Sequence, residues 1–157
     1  MTLAIVKFIH LVSLVVWVGT LVFFSFFAAP SIFKVLPRET AGDVVGAIFP
    51  KYWAIGYIAS IAALGSLIFI SYTERDLPAA RIAVLAAMTA VTFYSGLAVG
   101  AKARAVKVEM RAAESPEKKA ELRGEFKRIH AKSSVLNLIV IALGLVVVYL
   151  TSTALRL

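Results

Sequence analysis

The stretch Leu3–Ala29, LAIVKFIHLVSLVVWVGTLVFFSFFAA, is an apolar run too long to be the core helix of a soluble domain. As a helix it would reach ~40 Å, more than the ~30 Å hydrocarbon core of a bilayer, so it tilts or projects. A cleaved signal peptide is the competing interpretation. Its apolar region is about 7–15 residues long and ends at a small-residue cleavage site. This run is nearly twice as long, and Pro30 directly follows Ala28-Ala29. A retained first transmembrane helix is expected. The whole chain fits that reading: 61% of its residues are hydrophobic and its mean hydropathy is +0.88, against roughly 45–50% apolar in soluble domains.

The pattern of apolar helix and charged loop repeats three more times. Residues 1–157 are expected to form a single transmembrane domain, with spans at about 3–29, 52–72, 80–101 and 132–154. Pro30 disfavours continuation of the first helix. The loop 30–51 is bracketed by Pro37 and Pro50. Within it, Val44, Val45, Ile48 and Phe49 suggest a short amphipathic helix, either lying at the interface or dipping into the membrane. Tyr52, Trp53 and Tyr72 suit the aromatic belts at the two membrane surfaces. Gly56 and Ser60, Ala62 and Ser66, and Thr92, Gly96 and Gly100 are small residues four apart, which allows close helix packing. Residues 102–131 are strongly polar. Ser115-Pro116-Glu117 reads as a fresh helix start, with Ser at the N-cap and Pro in the first turn. The predicted fold is all-α: an integral membrane four-helix bundle, with a cytoplasmic helical hairpin extending helices 3 and 4. Antiparallel pairing in that hairpin would set Arg104 and Lys107 near Glu125 and Glu121.

The formal net charge is +8, and thirteen of the seventeen Lys and Arg residues lie in the first and third loops. Lys7, Arg75, Arg81 and Arg156 fall on the other side. Basic loops stay in the cytoplasm, so both termini are expected outside. The location expected is the cytoplasmic membrane of a bacterium or archaeon. The positive charge then faces anionic lipid headgroups and requires no nucleic acid.

Polar groups inside a membrane are candidates for function. At 100° per residue, His10, Ser13, Trp17, Thr20 and Phe24 share one stripe of helix 1. His130, Ser133, Ser134, Asn137, Ile141 and Gly144 do the same on helix 4. Both stripes are expected to face the bundle interior. A neutral imidazole can anchor a hydrogen bond between helices, carry a proton or ligate a haem. The two histidines lie too far apart in depth to share one metal ion or one haem. The chain has no cysteine, and its three methionines do not cluster. Helices 1, 2 and 4 hold no acidic residue within the membrane. No catalytic constellation or phosphate-binding glycine loop is present, and no metal site is predicted.

Three blocks carry a resemblance. The first is His10-Leu11 with Trp17 and Gly19. The second is Phe33, Leu36-Pro37-Arg38, Gly42 and Ile48-Phe49-Pro50 with Tyr52. The third is Phe126-Lys127-Arg128-Ile129-His130, Ser133-Ser134 and Asn137-Leu138. On these the chain resembles the family of transmembrane protein 205 and its bacterial relatives, a four-helix membrane domain of no settled activity. A looser likeness runs to the haem-containing protoporphyrinogen oxidase family and to the copper-resistance D membrane domain. It implies a haem b with His10 as axial ligand and Trp17 against the macrocycle; helix 3 lacks the histidine which the oxidase family offers there. The reading placed first is a non-enzymatic membrane protein, a homo-oligomer or a subunit of a membrane complex. The alternatives are a haem or redox protein and a transporter of a small solute or metal complex.

Overall fold

The computed structural model describes residues 1–154, and Arg156 lies outside them. Four helices account for nearly all of it: α1 (Thr2–Val35), α2 (Arg38–Glu74), α3 (Ala79–Ala112) and α4 (Pro116–Ala154). Each is long and apolar enough to cross a membrane. They run up and down in sequence. α1 packs on α2 and α4, α2 on α3, and α3 on α4, closing an antiparallel ring. The lipid-facing surface carries large apolar side chains such as Phe8, Val15, Ile58 and Tyr149, while Trp17, Leu67, Leu85, Met88 and Val147 are sealed inside.

The helices are longer than the sequence suggests. Residues 30–51 are not a loop. α1 continues through Pro30 because a π turn, Phe24–Ala28, immediately precedes that proline. Such a local adjustment accommodates the missing N–H and the bulk of the ring. The connection is just Leu36-Pro37, both extended, and the Ala41 amide donates to the Pro37 carbonyl to start α2. The expected amphipathic segment is the first part of α2, which continues through Pro50. It is not a separate interfacial helix, because Val45 and Ala41 are buried against the rest of the protein. α3 also contains a π turn, Ser95–Val99. The predicted start of α4 is present: Ser115 Oγ accepts the Lys118 amide at 3.1 Å.

The stretches free of charge are 8–33, 52–73, 82–101 and 133–154. The shortest, at 20 residues, covers ~30 Å, about one hydrocarbon thickness. Beyond it, at one end of the bundle, residues 38–51, 102–112 and 116–132 form a charged three-helix cap. Its apolar seam is Val99, Ala103, Val106, Met110 and Ala113 on α3 against Leu122, Phe126, Ile129 and Leu136 on α4. The spacing alternates between four and three on α3 and runs four, three and seven on α4, the pattern of a coiled coil. The expected ion pairs are reassigned. Lys102 pairs with Glu125 at 2.8 Å, while Lys107 turns to α2 and reaches Asp43 at 2.8 Å. Lys107 sits on the α2-facing side of α3, so it cannot reach Glu121. At the opposite end Lys7 pairs with Glu74, and α2 closes on Arg75 in the left-handed conformation.

Candidate functional site

The two π turns mark a polar and aromatic layer near the cap end of the bundle. π turns widen a helix by one residue and often sit at functional sites. In α1 the turn presents Ser25, whose hydroxyl accepts a hydrogen bond from Asn137 Nδ2 at 2.6 Å. Tyr52 Oη donates to Asn137 Oδ1 at 2.5 Å. One amide on α4 therefore ties α1 to α2. Around it Phe24 contacts Phe49 and Tyr52. Phe49, Trp53 and Tyr57 follow at one-turn intervals on α2 and stack in sequence, with centroids 6.3 and 6.4 Å apart. Phe93 of α3 extends the ladder at 4.5 Å from Tyr57. The α3 π turn brings Gly96 against this ladder. A Cβ there would lie 1.8 Å from Tyr57 Oη and 2.9 Å from Trp53 Cδ2, so no larger residue fits the observed packing.

One turn deeper is a cavity of about 10 Å³ lined by Trp17, Thr20, Leu21, Tyr52, Gly56 and Thr92. Trp17 Nε1 and Thr92 Oγ1 are buried there without a protein partner among the described residues.

Towards the opposite end, His10 joins α1 to α2. Its Nδ1 lies 3.0 Å from the Ala63 carbonyl and 3.1 Å from Ser66 Oγ. A carbonyl only accepts, so Nδ1 carries the proton. Nε2 then has a lone pair, buried and without a protein partner among the described residues. Ser13 Oγ donates back to the Ile9 carbonyl.

The α1 stripe is thus interior as expected: His10, Ser13, Trp17 and Phe24 are buried, and Thr20 is half-buried. The α4 stripe is only partly so. Asn137 and Ser133 are half-buried, but His130 and Ser134 are exposed. The interior face of α4 is set by the seam through Leu122, Ile129, Val140, Gly144, Val147 and Thr151, which turns His130 outward to stack on Phe126 at 6.2 Å. The motif residues of the former loop are spread along α2. Pro37 caps it, Arg38 opens it, and Phe49 starts the aromatic ladder just before Pro50. The Gly42 carbonyl accepts Lys107 Nζ at 2.9 Å, and that ammonium also fits beside Gly46. Asp43 is held by Lys107 and by Arg111. The hydrogen bond from Lys107 holds the Asp43 carboxyl below its ordinary value, and the nearby Arg111 charge adds in the same direction. Ser25 is not singled out by the sequence pattern, and Tyr52 reads from it as a belt residue. A polar-tipped aromatic facing a buried amide is the signal that could have found the Tyr52 contact.

The family described as a domain of unknown function, DUF4149, matches residues 12–112, from α1 to the end of α3. The chain belongs to the DUF4149 family. An uncharacterized protein of Aquifex aeolicus (strain VF5) is 56% identical over 36 residues, 23% of this chain and 27% of that protein. The alignment therefore spans about a quarter of the relative's length. No solved structure matches. The chain is an integral membrane protein, with four membrane-length helices among the described residues, of which the family match spans the first three.

A haem b does not fit between the helices as they are packed. Leu14, Ala63, Leu67, Leu85 and Val147 of the core are each at most 3% exposed. His10 itself is 4% exposed, and Trp17, two turns along, is sealed at 1%. His130 is exposed at the cap end, far from His10.

Proposed function

We propose that this DUF4149 protein is a non-enzymatic membrane protein whose charged cap lies in the cytoplasm and engages anionic lipid headgroups. The observation that carries the reading is the coincidence of the cap with the basic half of the chain. All thirteen cations of the first and third loops lie on the cap or at its membrane boundary. The cap is also built rather than loose: the coiled-coil seam joins α3 to α4, and Lys107, Arg111 and Asp43 lock α2 on. Both termini then face outward, in the cytoplasmic membrane of a bacterium or archaeon. The motif residues from Pro37 to Pro50 support kinship with transmembrane protein 205, a finer assignment than the DUF4149 match itself. Assembly into homo-oligomers belongs to the same proposal. Gly19 and Gly65 have open space where a side chain would be, which leaves room for close approach by another helix.

The test is thermal unfolding of the purified protein in nanodiscs of phosphatidylcholine and of phosphatidylcholine mixed with phosphatidylglycerol. The expected result is a higher Tm with the anionic lipid, and a smaller difference at about 0.5 M salt, where the Debye length shrinks to a few ångströms. Equal Tm values in both lipids at low salt would overturn the reading.

A further inference from the structure

Three hydrogen-bond donors lie along the α2–α3 face at the base of the cap. They are Arg104 Nη1, Trp53 Nε1 and Tyr57 Oη. A Cβ placed on Gly100 would lie 3.4 Å from both Arg104 Nη1 and Trp53 Nε1. One turn earlier, Tyr57 Oη fills the space beside Gly96. The glycine pair lets Trp53 and Tyr57 of α2 lie against α3, beside Arg104 of α3 itself. The Ser95 carbonyl is the acceptor in this nook, 3.2 Å from the same Gly100 position, and it already accepts the Gly100 amide within the π turn.

None of the three donors has a protein acceptor among the described residues. Arg104 forms no ion pair there, although its neighbours Lys102 and Lys107 both do. Trp53 is 7% exposed, so its indole is nearly buried. Its Nε1 and Arg104 Nη1 flank the same Gly100 position. An indole N–H and an unpaired guanidinium flanking one position can share an anionic acceptor.

Depth decides which acceptor. Trp53 lies two residues after Lys51, the last charge before the apolar part of α2. Gly100 lies two residues before Lys102, the first charge after the apolar part of α3. The nook is therefore at the boundary where lipid phosphates reside. We infer that Arg104, Trp53 and Tyr57 form a binding site for the phosphate of a phospholipid in the leaflet on the cap side. Arg104 supplies the charge and the indole N–H fixes the position. Tyr57 Oη offers a further donor along the Gly96–Gly100 seam. The site rests on the proposed lipid engagement of the cap and narrows it from a diffuse basic surface to one place.

Native mass spectrometry of the full chain, titrated with phosphatidylglycerol in detergent, tests this. Arg104→Gln is expected to weaken retention of the first lipid about tenfold, the worth of a charge-assisted hydrogen bond. Trp53→Phe keeps the ring and removes the N–H, and is expected to weaken it about threefold. Gly100→Ala crowds the nook and should act in the same direction. Arg123→Gln, an equal loss of charge on the exposed cap, should leave the first lipid unaffected. Each variant's Tm separates loss of binding from loss of fold. Inorganic phosphate at the same concentration should not displace the lipid, and displacement would overturn the lipid assignment. If Arg104→Gln and Arg123→Gln weaken retention equally, the site is wrong while the general lipid reading stands. If neither matters and anionic nanodiscs give no added stability, both fail.

Discussion

The membrane section and the cap are made from the same helices but held together differently. Between the charge-free stretches, α2 approaches α3 through Gly56 against Thr92, and α1 approaches α4 through Val18 against Gly144. A few buried polar ties, His10 to Ala63 and Asn137 to Tyr52 and Ser25, add to this contact. In the cap the seam turns to Val106, Met110, Leu122 and Phe126, with ion pairs at its rim. The surroundings explain the change. Lipid gives apolar side chains no reason to prefer each other, so small residues and hydrogen bonds do the joining. Water does give that reason, so an alternating seam of larger side chains suffices.

The comparison is broken most severely by Leu122→Ala. Leu122 is 2% exposed in the cap seam, and its truncation should lower unfolding stability by about 2–4 kcal/mol. This is measurable by denaturant titration in mild detergent. Stability unchanged within error would mean that the cap has no core of its own. In the membrane section the opposite change is the damaging one. Gly96→Val forces Trp53 and Tyr57 off α3 and should cost about 1–3 kcal/mol through overpacking. A Tm equal to that of the unsubstituted protein would show that the close approach at Gly96 is dispensable.

The polar ties are smaller in effect. Asn137→Ala leaves Tyr52 Oη without its acceptor, and about 1 kcal/mol is expected, in line with hydrogen bonds between membrane helices. Tyr52→Phe combined with it should add little, since the two share one interaction. Full additivity in that cycle would refute the tie. The least effect belongs to the exposed cap rim. Asp43 has a depressed carboxyl pKa because Lys107 hydrogen-bonds its charged form. Its contribution is complete above the ordinary value of 3.8 and is lost as the pH falls through the lower folded-state value. Asp43→Asn should flatten that acid limb of a Tm–pH profile and change little at neutral pH. A parallel acid limb in the variant would place the pairing elsewhere.

The contrast also explains what could be read from the sequence. The four spans, the small-residue seams and the α1 stripe follow from hydropathy and period, and the bundle uses them as expected. Ser115 and Pro116 announce the start of α4 through their own chemistry. The helical course of residues 30–51 was hidden because Pro30, Pro37 and Pro50 argue locally for breaks. The helices nevertheless continue through Pro30, beside a π turn, and through Pro50, and only Pro37 marks a break. The outward position of His130 follows from a seam whose 4–3 spacing was visible at 122, 126, 129 and 136, but was masked by the density of charge around it. Asn137 and Gly96 stand in the expected stripe and seam, but their partners Ser25 and Tyr57 are set by the π turns, which no local residue pattern signals.

The account depends above all on the cap being the cytoplasmic end. The chain has no cysteine, so single cysteines report position without background. Arg75→Cys and Arg123→Cys variants would be exposed in intact cells to a membrane-impermeant maleimide. The account predicts labelling of Arg75→Cys in intact cells, and of Arg123→Cys only after permeabilisation. Labelling of Arg123→Cys from outside, with Arg75→Cys protected, would contradict it.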